Sequence, residues 1–324
     1  MQVSPAIPMA TFEHLPADTQ CPLVKVGFSA RALFDLEKTP GQSLEVWLKE
    51  QRGKAKEPLK PASGMPLFRK LLALNRLCPD DKTLVGVHVF SKLTPEFAGR
   101  FHDSLDSLQL NTDCERSHVS FSYLNGASPL PFLQAMGINL YLSANQSLVE
   151  QALAAGIGAA VLQTEVDPDH QALNGNSPLK IALDGDSCIF DDEADKLYKS
   201  GGLTAVWQSD AEKRDKALGQ GPLHKFLVGI NNVRRCFPRE IAQSPLLLYL
   251  VTARGFNNKP RVFSTMNDLE LAFDGAHFLS GESKEPVLRG IAPHLFSMIA
   301  KRILELQYQQ AFLQVMFLGG PVWH

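Results

Sequence analysis

Short apolar runs rich in β-branched residues alternate, almost throughout the chain, with segments whose apolar residues recur at helical spacing. PLVKVGF (22–28), TLVGVHVFS (83–91), HVSFSYL (118–124), INLYLSA (138–144), IGAAVLQ (157–163), LKIAL (179–183) and PLLLYLVTA (245–253) predict strands. Helices are predicted after residue 29, over 41–51, in MPLFRKLLALNRL (65–77), over 94–108 with Thr94 as N-cap, over 145–156 with Gly156 as the stop, and over 193–200 and 222–233. Such alternation favours an α/β fold: a mainly parallel, Rossmann-like sheet with helices on both faces. In such sheets ligands bind beyond the carboxyl ends of the strands. Inspection finds neither an internal repeat nor a low-complexity segment.

The pattern divides the chain into a loose N-terminal leader (1–23), an N-terminal α/β part (24–165), a polar loop (166–178), a second α/β part (179–296) and an atypical C-terminal tail (297–324). The leader lacks a basic segment followed by an apolar core, so it does not read as a secretory signal. No run of 18 apolar residues suggests a membrane span. The formal net charge of −2 argues against nucleic acid as a bulk partner. The basic stretch KEQRGKAKEPLKP (49–61) reads as a solvated loop. Cysteines stand at 21, 78, 114, 188 and 236 with no CxxC pair, which argues against a disulfide framework or a zinc site and for a reducing, cytoplasmic setting. A homo-oligomer is compatible with this composition.

The candidate chemistry lies in LKIALDGDSCIFDDEA (179–194), where a short apolar strand ends on Asp184 and Asp186. Two carboxylates so close repel unless a cation or a shared proton offsets them. Mg²⁺ is a fitting cation, since it takes oxygen ligands and leaves room for a phosphate-bearing substrate. The plainer reading is a strand-end turn that simply uses Asp and Gly. Further on, a second apolar strand ends on Thr252, and Lys284 stands in a glycine-containing loop at a helix start. Carboxylates, a strand-end hydroxyl and a lysine, in that order, are the parts of a phosphoryl-transfer site.

This order resembles that of the haloacid dehalogenase superfamily of phosphatases. DGDSCIF is similar to its first motif, LLLYLVTA to its second, and Lys284 to the lysine of its third. The resemblance implies that Asp184 is the nucleophile that becomes phosphoaspartate and Asp186 the acid and base. It further implies that Thr252 and Lys284 hold the phosphoryl group, with Mg²⁺ on Asp184 and on the backbone carbonyl of Asp186. FSARALFDLE (28–37), MPLFRKLLALNRL, LNGASPLPFLQAMGINLYLSAN (124–145), QGPLHKFL (220–227) and FLSGESKEPVLRGIAPHLF (278–296) narrow the likeness to the cytosolic type-I 5′-nucleotidases. That family acts on nucleoside 5′-monophosphates such as AMP and IMP. The implied function is Mg²⁺-dependent 5′-nucleotidase activity, with a nucleoside monophosphate as the partner molecule. The alternatives are a catalytically weak nucleotide-binding protein and a phosphatase for another phosphorylated metabolite. Arg31, Asn125, Gly126 and Ser128 are candidates for holding the nucleoside end, or else residues of capped turns and surface ion pairs. Asp191, Asp192 and Glu193 read as the acidic first turn of a helix. His224 receives no role.

After PHLF (293–296) the likeness stops. The family's fourth motif, an acidic pair completing the Mg²⁺ shell, is missing: from residue 297 on there is no aspartate and one glutamate, Glu305. A different C-terminal helix is one reading. The genetic code supplies another. Read two bases into each codon, Met298-Ile299 must spell aspartate. Ser297-Met298 spells it too if the serine codon is TCG. In the same frame residues 314–320 can read GHVPWG, close to the family's closing run. We read this as a single-base deletion after the codon for Phe296, and expect weak Mg²⁺ binding and poor activity in the chain as written.

Overall fold

In the computed structural model, residues 22–36, 41–54, 56–79, 82–162, 177–255 and 259–297 are described. The leader before Pro22, most of the polar loop and the tail from residue 298, with the proposed frameshift, lie outside them. So does Cys21; Cys78, Cys114, Cys188 and Cys236 are buried and in no disulfide.

The described strands form two parallel sheets. The first holds β1 (Val24–Ser29), β2 (Val85–Ser91), β3 (Ser120–Tyr123), β4 (Leu140–Ser143) and β5 (Gly158–Val161), in spatial order 3-2-1-4-5. The second holds β6 (Leu179–Leu183), β7 (Leu246–Thr252), β8 (Gly275–Phe278) and β9 (Leu295–Ser297), in order 8-7-6-9. The strands predicted from the apolar runs thus lie in two sheets. The helices are α1 (Ala30–Leu33), α2 (Leu44–Gly53), α3 (Met65–Arg76), α4 (Ala98–Ser107), α5 (Asn111–Arg116), α6 (Leu130–Ala135), α7 (Gln146–Ala154), α8 (Glu193–Glu212), α9 (His224–Arg235), α10 (Lys259–Asp268) and α11 (Glu285–Ile291). Helix α3 touches β2 and also β6, and α9 touches β7 and also β1, so each sheet receives a helix from the other half. One apolar core runs through both, from Phe28 and Phe68 to Phe226 and Leu248.

Some local expectations change. Thr94 precedes a short 3-10 turn, and its hydroxyl donates to Glu96 rather than capping a helix. Helix α8 runs on to Glu212, past a kink where Gly201 and Gly202 leave helical geometry, because glycine bends the axis there without ending it.

The absence of an internal repeat is also corrected. The two sheets are built on one plan. In register, Phe28 faces Val89 and Leu142; correspondingly, Leu183 faces Leu250 and Ser297. Left-handed backbone recurs at matched places: Gln109 and Glu270, Asn125 and Ser280, Gly126 and Gly281, Gly137 and Ala292. Hydrogen bonds recur too. The Lys25 ammonium donates to the Met136 carbonyl as that of Lys180 does to Ile291. The Ser104 hydroxyl accepts from Leu59 N–H as that of Thr265 does from Leu218. Once aligned, LNGASPLPFL (124–133) and LSGESKEPVL (279–288) share leucine, glycine, serine, proline and leucine. Inspection misses the likeness because the fold demands apolar character and turn geometry at these positions, and few identical side chains.

Candidate active site

The buried run Leu179–Leu183 ends β6 at the carboxyl edge of the second sheet, and Asp184 is the next residue. Asp184 is 4% exposed. Its Oδ1 accepts the Gly185 N–H at 2.8 Å, and its Oδ2 lies 2.5 Å from Lys284 Nζ. Lys284 reaches it from the N-cap of α11, after the turn that follows β8. Thr252, the last residue of the neighbouring β7, is fully buried, and its Oγ1 accepts the Arg254 N–H at 3.2 Å. A Cβ at Gly185 would stand 3.0 Å from Thr252 Oγ1, so glycine lets the hydroxyl come close to the strand end. The chain then makes a wide turn over Gly185–Ile189, with Ser187 in left-handed geometry. Wide turns of this kind often mark functional positions. The turn carries Asp186 back over the sheet edge.

Asp186 meets Arg254, whose Nε lies 2.9 Å from Oδ1 and 3.1 Å from Oδ2, with Nη2 2.7 Å from Oδ1. Arg254 Nη1 continues to Asp210 at 2.5 Å. Asp210 also receives Arg261 Nη1 at 2.8 Å, and Arg261 Nη2 donates to Glu193 at 2.8 Å. Lys213 also pairs with Glu193. Burial alone would lower the Arg254 pKa; the charges of Asp186, Asp210 and Glu193 outweigh it and raise it. Burial pushes the Glu193 carboxyl up, but hydrogen bonds and charge from Lys213 and Arg261 bring it down to about 2. Glu193, read as a mere first-turn acid, is thus part of a chain of alternating charges behind the site.

The structure therefore brings Asp184 and Lys284 together, with Thr252 beside them and Asp186 on the adjoining turn. Sequence reasoning passed over Arg254, Asp210 and Arg261. The arginine two residues beyond Thr252 was the available signal, since a cation at the end of a buried strand needs a counter-ion. Arg31, Asn125 and Gly126 lie elsewhere, in a crevice of about 490 Å³ at the carboxyl edge of the first sheet. None of the four second-sheet candidates lines it. Ser128 is exposed, and its hydroxyl accepts the Leu130 N–H at 3.4 Å. His224 is buried, and desolvation lowers its pKa. Among the described residues no group of three His, Cys, Asp or Glu side chains is placed to hold a metal.

A family model described as 5′-nucleotidase matches residues 16–302. The chain belongs to the 5′-nucleotidase family. The chain is 28% identical over 284 residues to human cytosolic 5′-nucleotidase 1B, a match that covers 84% of this chain and 45% of that protein. It thus spans under half the length of the curated relative. No helix among the described residues is long and apolar enough to cross a membrane.

Proposed function

We propose that the chain is a phosphomonoesterase that hydrolyses nucleoside 5′-monophosphates, AMP- or IMP-like, to nucleoside and phosphate through phosphoaspartate. The observation that carries this reading is the Asp184–Lys284 pair at the carboxyl edge of β6, beside Thr252. Asp184 Oδ attacks phosphorus and the bond from phosphorus to the 5′ oxygen breaks. Asp186 gives its proton to that oxygen. Asp186 then takes a proton from water, the water oxygen attacks phosphorus, and the bond to Asp184 breaks, releasing phosphate and restoring the carboxylate. Lys284 and Thr252 hold the phosphoryl oxygens as charge builds on them. Arg254 grips Asp186 and sets where its carboxylate points.

Mg²⁺ would be held by the Asp184 carboxylate and the Asp186 backbone carbonyl. When bound it supplies positive charge against the two carboxylates and the phosphoryl group. Two such donors are a partial set, and no third acid among the described residues completes it. Strand β9 ends beside β6 with Ser297 opposite Leu183, level with the edge that carries Asp184. An acidic pair immediately after β9 would therefore complete the set, and in the chain as written that stretch contains no acid. We hold that the loss weakens the metal and the activity, and that a base deletion after the codon for Phe296 is its source. Resequencing codons 293 to 324 tests the deletion. Phosphate release from AMP with Mg²⁺, compared with the Asp184→Asn variant, tests the chemistry; equal rates for both would reject it. The cytosolic 5′-nucleotidase relative supports a cytoplasmic setting.

A further inference from the structure

The crevice of the first sheet occupies the place in its repeat that the Asp184 site occupies in the second. In both repeats the central strand is flanked by matched neighbours in matched register. Ser29 therefore stands where Asp184 does, and Ser91 where Thr252 does. The Ser91 hydroxyl accepts the Leu93 N–H at 3.1 Å, the counterpart of the bond from Arg254 N–H to Thr252. After β3 the turn repeats as well: Leu124 N–H bonds to the Ser91 carbonyl as Leu279 N–H bonds to that of Thr252. Along that turn Pro129 takes the place of Lys284. The first repeat lacks one residue in the loop after its central strand. Phe34 N–H bonds to the Ala30 carbonyl, whereas Phe190 N–H bonds to that of Gly185 across one residue more. Arg31 falls where the second repeat presents Asp186.

These exchanges change the chemistry without closing the crevice. Among the described residues no acidic side chain lines it, while Arg31 and Lys92 do. The carboxylate proposed to hold a metal and take the phosphoryl group has become a hydroxyl, and the one proposed as acid and base has become a guanidinium. The Ser29 Oγ is buried and has no hydrogen-bond partner among the described residues, a buried polar group that calls for a partner. Trp47, Phe90 and Tyr141 add aromatic walls. The volume of about 490 Å³ suits a small organic ligand.

We propose that this crevice is a second binding site, taking a phosphate monoester with a flat apolar body without Mg²⁺ and without hydrolysing it. Arg31 and Lys92 face the phosphate, the Ser29 and Ser91 hydroxyls complete its hydrogen bonding, and the aromatic side chains hold the body. Without a carboxylate at the Ser29 position no phosphoryl transfer to the protein occurs here.

The test uses the full chain in EDTA, with Trp207→Phe and Trp323→Phe so that Trp47 alone reports. AMP, adenosine and inorganic phosphate are the probes. Expected is a saturable change in Trp47 emission with AMP, competition by inorganic phosphate, and AMP recovered intact. Adenosine should bind roughly tenfold more weakly or worse, the scale set by losing one charge-assisted hydrogen bond. Arg31→Ala should weaken AMP by a similar factor. Arg31→Glu, also at an exposed position, should weaken it further, while Asp184→Asn leaves it unchanged. The proposal is overturned if AMP gives no signal in EDTA, if adenosine binds as well as AMP, or if Asp184→Asn removes the signal while Arg31→Glu keeps it. Because binding is read at Trp47 with Mg²⁺ withheld, an inactive second-sheet site would not affect the outcome.

Discussion

Lys284 Nζ lies 2.5 Å from Asp184 Oδ2, joining the start of α11 to the end of β6 across the edge of the second sheet. The pair places a cation where a phosphoryl oxygen must sit if Asp184 attacks phosphorus. Lys284→Met should lower phosphate release from AMP about 10²- to 10³-fold, the usual loss for one electrostatic donor. The measurement belongs on the chain carrying a restored acidic pair after β9, with the far-ultraviolet spectrum as a check on folding.

The chain as written should release phosphate from AMP slowly even at high Mg²⁺, and the frame-restored chain rapidly. Titrating Mg²⁺ into both reads the difference as a shift in the metal concentration at half-maximal rate. Equal Mg²⁺ requirements would refute the role given to the missing acids.

Gly185 separates the two aspartates because a Cβ would crowd Thr252 Oγ1 at 3.0 Å and Thr252 Cβ at 3.2 Å. Gly185→Ala should therefore push the turn off the threonine. We expect a clear fall in kcat with a small change in thermal midpoint, read by steady-state kinetics and calorimetry.

Arg254 bridges Asp186 and Asp210, with Arg254 and Asp210 almost fully buried and Asp186 largely so. Arg254→Leu removes the arginine from Asp186 and leaves Asp210 with Arg261, and removing one partner of a buried charge set costs about 3–5 kcal/mol. Urea unfolding should show that loss as a lowered midpoint. Replacing Arg254 and Asp210 together by apolar residues should cost less than the sum of the two single changes.

Glu193 has its carboxyl pKa held at about 2. Its folded value is depressed, so it adds stability above the unfolded value of about 4.3, and that stability is lost as pH falls towards about 2. Glu193→Gln should flatten the fall in unfolding midpoint between those two pH values. An unchanged slope would remove Glu193 from the network.

Much of the second sheet was legible in the chain. The run LKIAL is apolar enough to be a buried strand, and Asp184 after it had to lie at a sheet edge. The strand ending on Thr252 and the helix beginning after Lys284 were equally plain, because apolar periodicity and capping are local properties. The extension of α8 beyond Gly201 and Gly202 was not legible, since a glycine pair reads as a stop when nothing shows the packing on either side. The roles of Arg254, Asp210, Arg261 and Glu193 were hidden as well. A buried charge looks like any surface charge until its counter-ions are known.

Sequence alone determined the alternation of strands and helices and the order Asp184, Asp186, Thr252, Lys284, because both are written in neighbouring residues. Only the tertiary structure decided that Lys284 reaches Asp184, and that Arg31 lies on the other sheet. It also decided that Ser29 and Asp184 hold equivalent places in two repeats. Such equivalence resides in strand register, turn handedness and backbone hydrogen bonds, which many different side chains can satisfy.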